Sequence, residues 1–275
     1  GALNNQGGTI QTTNGDLTAT AQSINNTSGT IGTINGGATS LSAIGAVTNA
    51  QGNIQSANGL TINAASLDNT AGTIQTTNTG DMAITTQGDV VNSDGSLLIK
   101  KGKATIKAAN VNNSNGGKIT ANNNSTLALN AQAGTLNNQG GSIASNAGAI
   151  SINGVLNNRG GLVSAGQDSL SITQTSGNFV NEGVLQAGQD LTFNLAGTQT
   201  QTNSATGRLQ AGHDLVVNNA SNFTNLGGYN LDPTLQYGLY AGNNLTFNNG
   251  GILNNNGGVL RAMGNINLAL SQLIN

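Results

Sequence analysis

Five aspartates at corresponding positions of a repeated sequence are the residues best suited to hold a cation. Asp168, Asp190 and Asp214 each end a run of Ala-Gly-X-Asp, and Asp16 and Asp81 fit the same column. Stacked carboxylates suit Ca²⁺, a hard cation that favours oxygen ligands. Alternatively, each Asp caps backbone N–H groups at a corner of the chain. Both a cation ladder and a column of caps are therefore open at this point.

The later copies of the repeat favour the caps. Asn244 takes the place of the acid there, and an amide caps backbone groups equally well but weakens a cation site. The Gly-Gly-X-Gly-X-Asp nonapeptide of calcium-binding β-rolls is also not repeated. We therefore predict that these aspartates are caps, and we predict no metal site and no cofactor.

Catalysis is the other chemistry that such side chains could support. Glycoside hydrolysis normally needs two carboxyl groups facing one cleft, but the aspartates are spread one per copy and Glu182 is the only Glu. His213 replaces the Gln of a repeated Ala-Gly-Gln-Asp, which predicts a solvent-facing corner residue. We predict no catalytic residues, and a β-helix lyase or glycosidase acting on polysaccharides is kept as the alternative.

A group of lysines supplies half of the eight basic residues and could meet an anionic partner. Its members are Lys100, Lys101, Lys103 and Lys107. Such a patch suits an anionic glycan, for example a sulfated polysaccharide or a lipopolysaccharide. Lysines on a sheet more often keep a polar face soluble and discourage stray strand pairing. These four lysines therefore form either an anionic-glycan site or a polar face that keeps the protein soluble.

One segment interrupts the repeat and is the best candidate for specific binding. Residues 227–238 form an insertion that contains two of the three Tyr residues and the sole Pro, Pro233. Loops inserted in a repeat fold leave one unit without disturbing the stack, and recognition often resides in them. The predicted partner-binding residues are Tyr229, Asp232, Leu235, Tyr237 and, just after the insertion, Tyr240.

A repeat of 20–25 residues runs through the chain and must position all these groups. Each copy opens with an apolar residue and Asn-rich polar residues, continues with Gly-Gly or its equivalent, and then has two short alternating runs. The recognisable openings begin at Leu3, Ile24, Val47, Leu67, Val91, Val111, Leu136, Leu156, Phe179, Phe223 and Leu253. The long gap after Phe179 predicts a degenerate twelfth copy near Gln201.

The alternating runs predict short strands with one buried face, bounded by Gly and Asn. Stacked copies would pair each strand in parallel with its counterparts and align inward residues such as Ile10, Leu17 and Ile24. Corners need positive φ, which Gly adopts freely and Asn tolerates, and Asn repeated at one corner can form an amide ladder. Further core residues are predicted at Phe179, Phe193, Phe223 and Phe247.

The predicted fold is all-β, a right-handed parallel β-helix, or solenoid, of about twelve coils. Parallel crossovers favour that hand, and the variable spacing argues against a left-handed solenoid with its stricter six-residue period. Residues 1–275 would form a single rod segment, an internal piece of a longer filament, with 227–238 as a loop insertion.

Composition excludes several other classes. The chain is 36% hydrophobic and 7% charged, whereas disordered chains need high charge and few aliphatic residues. Collagen would need Gly at every third position and abundant Pro. The net charge of −2 provides no basic face for nucleic acid. The apolar runs are too short to span a membrane.

Three late copies of the repeat contain the same short motif. Leu185-Gln186-Ala187-Gly188-Gln189-Asp190-Leu191 is followed by Leu209-Gln210-Ala211-Gly212-His213-Asp214-Leu215 and by Leu239-Tyr240-Ala241-Gly242-Asn243-Asn244-Leu245. Together with Leu156-Asn157-Asn158-Arg159-Gly160-Gly161-Leu162-Val163-Ser164-Ala165-Gly166-Gln167-Asp168, this motif resembles the repeat of filamentous-haemagglutinin-type exoproteins. The first half of the chain matches more loosely, since Asn14-Gly15-Asp16-Leu17 keeps only part of the motif.

The resemblance implies a parallel β-helix that a dedicated outer-membrane partner exports by two-partner secretion. It also implies display on the surface of Gram-negative cells, where such filaments serve as adhesins or as effectors of contact-dependent growth inhibition. The expected function is therefore cell contact by a secreted filament, with a receptor or glycan on the target cell as partner.

Overall fold

The structure, a computed structural model, describes residues 1–195, 200–218, 222–228, 237–248 and 250–275. Within these ranges the chain forms short parallel strands and no helix, so no segment there could cross a bilayer as a helix. Strands stack in about twelve turns, and each strand pairs with its counterparts one turn away. The prediction of an all-β parallel β-helix is confirmed.

Each turn places its strands on three faces of the rod, which we name in chain order the opening, middle and closing faces. The opening face contains β1 (Leu3–Asn4), β4 (Ile24–Asn25), β7 (Ala46–Thr48), β10 (Ser66–Asp68), β13 (Val90–Val91), β16 (Val111–Asn112), β23 (Phe179–Asn181), β26 (Thr200–Asn203), β29 (Asn222–Asn225), β32 (Ile252–Asn254) and β35 (Gln272–Ile274).

The middle face is a separate sheet of twelve strands within the described ranges. It contains β2 (Thr9–Thr12), β5 (Thr30–Thr33), β8 (Asn53–Ser56), β11 (Thr73–Thr76), β14 (Ser96–Ile99), β17 (Lys118–Ala121), β19 (Ser142–Ser145), β21 (Leu162–Ala165), β24 (Val184–Ala187), β27 (Arg208–Ala211), β30 (Gly238–Ala241) and β33 (Leu260–Ala262).

The closing face completes each turn before the chain returns to the opening face. It contains β3 (Leu17–Ala21), β6 (Thr39–Ala43), β9 (Leu60–Ala64), β12 (Met82–Thr86), β15 (Lys103–Lys107), β22 (Leu170–Gln174), β25 (Leu191–Leu195), β28 (Leu215–Asn218), β31 (Leu245–Asn248) and β34 (Ile266–Ala269). Two long strands, β18 (Thr126–Asn137) and β20 (Ile150–Asn157), run from the closing face into the opening face and join the two.

The core is a set of apolar columns inside the rod. Ile31 pairs with Ile54 and Ile54 aligns with Ile74, and all three are fully buried, because alternate residues of every strand point inward. Leu17 and Ile24 are buried as predicted, while Ile10 of the first turn is half-buried. The four phenylalanines are also core residues and form two edge-to-face pairs, Phe179 with Phe193 and Phe223 with Phe247.

A buried column of asparagines follows the corner between the opening and middle faces, and the predicted amide ladder is present there. Its members are Asn5, Asn26, Asn49, Asn69, Asn92, Asn113, Asn138, Asn158, Asn181, Asn203, Asn225, Asn255 and Asn275. In every member except the last, Asn275, which is exposed, Nδ2 donates to the Oδ1 of the next member, as at 2.8 Å between Asn92 and Asn113. Each therefore links two turns through a buried side-chain bond.

The glycine that follows each ladder asparagine is needed because the backbone packs too closely for a side chain. A Cβ at Gly95 would lie 2.2 Å from the carbonyl oxygen of Asn69 and 2.6 Å from Oδ1 of Asn92. Real Cβ atoms do not approach so closely. The Gly of the repeat thus serves the ladder.

The strand register corrects one predicted opening and confirms another. Leu67 aligns with Val90, which is buried and aligns in turn with Val111, so the copy opens at Val90 and the predicted start at Val91 is wrong by one residue. The degenerate copy near Gln201 is confirmed, because this residue aligns with Phe179. A further opening strand, β35, follows the last predicted one and pairs with β32.

Candidate functional site

The aspartate column lies at the corner between the middle and closing faces and caps the backbone. Oδ1 of Asp16 accepts a hydrogen bond from the backbone N–H of Ala38 at 2.8 Å, and Oδ1 of Asp81 does so from Lys103 at 2.8 Å. Oδ1 of Asp190 accepts from the N–H of Asp214 at 3.1 Å. In each case the carboxylate accepts from the N–H of the equivalent residue one turn further along the chain, as the cap interpretation requires.

Asp168 does not belong to this column, contrary to the prediction. Leu170 aligns with Leu191, so Ser169 occupies the position of Asp190, and the backbone N–H of Asp190 donates to Oγ of Ser169 at 3.3 Å. The physical cause is one extra residue in the corner between Ala165 and Leu170. Asp168 instead accepts from the N–H of its own neighbour Ser169 at 2.7 Å.

The later caps are joined by His213 into a cluster that spans three turns. His213 Nδ1 lies 2.8 Å from Oδ1 of Asp190 and 3.6 Å from Oδ2 of Asp214. Nδ2 of Asn243 donates to Oδ1 of Asp214 at 2.8 Å and lies 3.2 Å from Nε2 of His213. Among the described residues this is the group of acidic and imidazole side chains that converges within 4.8 Å.

The cluster shifts two ionisation equilibria in opposite directions. The hydrogen bond that Nδ1 of His213 donates to Oδ1 of Asp190 raises the pKa of the His213 imidazole, with a smaller contribution from the charge of Asp214. The backbone N–H of Asn244 lowers the pKa of the Asp214 carboxyl. The His213 side chain is 52% exposed, consistent with the predicted solvent-facing corner. The partners of His213 could be anticipated by aligning the Gln189-Asp190 corner with the His213-Asp214 corner of the next turn.

The four lysines are all exposed around one turn. Lys100 and Lys101 lie in the corner before β15, while Lys103 and Lys107 occupy the two ends of that strand with both side chains outward. The structure therefore brings Lys100, Lys101 and Lys103 to one corner and places Lys107 at the other edge of the closing face.

The predicted partner-binding residues are divided between described and undescribed parts of the chain. Tyr229, Asp232 and Leu235 lie outside the described residues. Tyr237 is half-buried, and Tyr240 lies on β30 of the middle face, where the guanidinium of Arg261 sits 5.6 Å from its ring centroid. The insertion separates Gly227 and Gly238, which remain close enough that a Cβ at Gly227 would lie 2.3 Å from N of Gly238.

A shallow groove of about 220 Å³ runs along the edge of the middle face and was not predicted. It is lined by Ala165, Gly166, Gln186, Ala187, Gly188, Gln210, Ala211, Gly212 and Tyr240. The repeated Gln-Ala-Gly of the late copies is the sequence pattern that could have indicated it. Only the pairing of successive turns reveals that these short motifs form one continuous surface.

A family model described as the haemagglutinin repeat matches residues 36–94, 163–227 and 238–275, together more than half of the chain. The matched ranges include Asp190, His213 and all nine residues that line the groove. Comparison with curated proteins and with solved structures gave no match. Because this match covers more than half of the chain, the chain belongs to the haemagglutinin-repeat family.

Proposed function

We propose that the chain is a structural and adhesive segment of a secreted, cell-surface filament of a Gram-negative bacterium. The family match carries this proposal, because haemagglutinin-repeat proteins are structural and adhesive proteins that are typically secreted. The fold supports it, since a solenoid grows by adding equal turns and each turn contacts only its neighbours. Such a rod provides reach and an extended surface for contact.

The partners follow from the same family context. The full-length protein would be exported by an outer-membrane secretion partner, and the displayed filament would contact a receptor or glycan on a target cell. Contact of this kind serves either adhesion or contact-dependent growth inhibition. A toxin domain beyond the repeats, encoded beside an immunity protein, would favour growth inhibition.

The alternative of a polysaccharide-active enzyme gains no specific support from the described residues. A hydrolytic site needs two carboxyl groups available to a substrate. In the cluster at His213, Asp190 and Asp214 each already accept a backbone N–H bond from the following turn. We therefore propose that the chain is not an enzyme.

Binding of the purified rod to cells tests the proposal. We expect fluorescently labelled 1–275 to bind target bacterial or animal cells saturably. An unrelated β-solenoid of similar length is the control for nonspecific adsorption. Binding no greater than that of the control would contradict an adhesive role.

The insertion is predicted to determine which partner the rod binds, and a variant without the insertion tests this prediction. Replacing 229–237 with a short Gly-Ser link should leave the β-sheet circular dichroism unchanged, because the flanking turns pair in register, with Leu209 beside Leu239 and Phe223 beside Leu253. Cell binding should fall markedly, since Tyr anchors interfaces at low entropic cost. Undiminished binding would contradict this assignment.

The lysine patch has its own matched variant. Changing Lys100, Lys101 and Lys103 to Gln should mainly reduce the salt dependence of cell binding, because exposed charges act through screened electrostatics. A loss of binding that does not depend on salt would contradict a simple electrostatic contribution.

A further inference from the structure

The floor of the groove on the middle face contains glycines, because successive turns pack too closely there for a Cβ. A Cβ at Gly188 would lie 2.4 Å from the carbonyl oxygen of Gly166, and one at Gly212 would lie 2.1 Å from that of Gly188. The alanines beside these glycines align in register, Ala165 with Ala187 and Ala187 with Ala211. The same depression therefore recurs in successive turns and continues along the rod axis.

The wall of the groove presents one polar side chain per turn. Gln186 aligns with Gln210, and Gln210 aligns with Tyr240. Nε2 of Gln186 also donates to Oγ of Ser164 at 2.8 Å, which holds this amide against the preceding turn. Amide and phenol groups can both donate and accept hydrogen bonds. None of the nine lining residues carries a charge.

We propose that this groove binds a linear, uncharged polysaccharide lying along the rod. The four strands that line it repeat at about 4.8 Å, a length similar to that of one pyranose unit, so successive sugars would meet the polar side chains of one column, Gln186, Gln210 and Tyr240. The nine lining residues provide no charged partner for sulfate or carboxylate groups, and Arg261 lies at one end of the groove, with its guanidinium over the Tyr240 ring. This inference rests on the proposed adhesive function and names the class of ligand for it.

The groove suits a glycan better than a peptide. An extended peptide advances about 3.3 Å per residue, so it would fall out of step with the turns. Peptides that bind sheets usually pair with an unpaired strand edge. Here the strands β21, β24, β27 and β30 are each paired on both sides within the rod, so their backbones provide no such edge.

The test compares two variants that alter the same column of the middle face. In the groove variant, Gln186 and Gln210 become Ala and Tyr240 becomes Ala. In the control variant, Gln55 and Gln75 become Ala, since these residues align with each other in the same outward column far from the groove. A milder double variant, Q186A with Q210A, guards against misfolding, and thermal melting establishes that each protein is folded.

The probes are neutral linear glycans, namely β-1,4-glucan, β-1,3-glucan, α-1,4-glucan, mannan and poly-N-acetyllactosamine oligomers, with heparin and hyaluronan as charged comparisons. We expect at least one neutral series to bind the parent, with affinity that rises with length up to about four units. Losing three hydrogen-bonding groups should weaken binding by about tenfold to a hundredfold in the groove variant, and the double variant should show a smaller loss. The control variant should bind like the parent.

Three outcomes would overturn the groove proposal: no neutral series binds, the groove variants bind like the parent, or an extended peptide library competes better than any glycan. The adhesive proposal is tested separately by cell binding. If the parent and the groove variants bind cells equally well, the adhesive proposal stands and the groove proposal is overturned. If the parent binds neutral glycan but no cells, the groove proposal stands and the adhesive proposal is overturned.

Discussion

Two polar columns run the length of the rod, one buried and one partly exposed, and they differ in how much change they accept. The buried ladder uses Asn in every described turn, as in Asn92 and Asn113. The partly exposed cap column uses Ser169, Asp190 and Asn244 at equivalent positions. Both columns satisfy polar groups of a neighbouring turn, so their function does not explain the difference.

The difference follows from what each side chain must satisfy. In the ladder, Nδ2 of Asn113 donates to Oδ1 of Asn138, to the carbonyl of Gly117 and to that of Ser142, while its Oδ1 accepts from Asn92. Only an amide both donates and accepts in this way. A cap needs only an acceptor for one N–H, and water can replace it. The inner column therefore specifies the register of the turns, whereas the outer column accepts any residue that offers a hydrogen-bond acceptor.

The largest expected effect comes from changing one ladder amide to an acid. Asn113→Asp places a buried carboxylate against Oδ1 of Asn138 and two carbonyl oxygens, and an unpaired buried charge costs about 3–5 kcal/mol. The matched control is Asn112→Asp, one residue earlier and half-buried, where Oδ1 already accepts from the N–H of Ser114. Denaturant unfolding at neutral pH should show a large loss for the first variant and about 0.5 kcal/mol or less for the second. Equal losses would show that the ladder does not depend on its amides.

A smaller effect is expected from the glycine beside the ladder. Gly95→Ala brings a Cβ against the carbonyl of Asn69 and the amide of Asn92, and overpacking of this kind costs about 1–3 kcal/mol. Gly15→Ala is the control, because a Cβ there meets nothing within 4 Å; it should change stability by no more than about 1 kcal/mol, and in the stabilising direction. If Gly95→Ala melts at the temperature of the parent, the close approach of the turns is not needed.

The partly exposed column should respond less, and only to loss of the acceptor. Asp214→Ala leaves the N–H of Asn244 without its 2.9 Å partner and should cost about 1 kcal/mol, since water can reach this partly exposed bond. Asp214→Asn should be milder, because Asn244 already caps Asn265 in the same column. Adding a chelator to the parent should leave the melting temperature unchanged. A drop that Ca²⁺ restores would mean that the column holds a cation and would contradict the cap interpretation.

The period, the core and the amide ladder could be predicted because each repeats in every turn. The one-residue error at Val91 arose because two neighbouring residues satisfy the same pattern. Val90 and Val91 are both apolar, and adjacency to Asn92 favours Val91, whereas the constant spacing is that of two residues from the buried apolar residue to the ladder Asn, as in Leu67 and Asn69. That spacing would have selected Val90, because the ladder residue always lies two positions after the buried one.

The groove and the cluster at His213 could not be predicted in the same way. Each is formed by residues from several turns, and its shape depends on the number of residues in each corner. The extra residue before Leu170 moves Asp168 out of the cap column, and no local pattern announces which residue of a corner is additional. Predicting such sites requires the pairing of turns as well as the repeat.

The smallest expected effect is a pH dependence at His213. Its pKa is raised, chiefly by the hydrogen bond with Asp190, so its contribution to stability is fully present below the unfolded value of 6.5 and is lost as the pH rises through the higher folded value. His213→Gln, which restores the residue found at Gln189, should therefore lower the melting temperature slightly at about pH 5.5 and leave it unchanged at about pH 8.5. Asp214 contributes in the opposite direction, because its lowered pKa adds stability that disappears only as the pH falls through the folded value. Repeating the comparison in an Asp190→Asn background isolates the pair, and the pH-dependent difference should shrink there. A difference that is the same at both pH values would show that the imidazole acts through packing and not through its charge. A pH-dependent difference that is undiminished in the Asp190→Asn background would show that Asp190 is not its main partner.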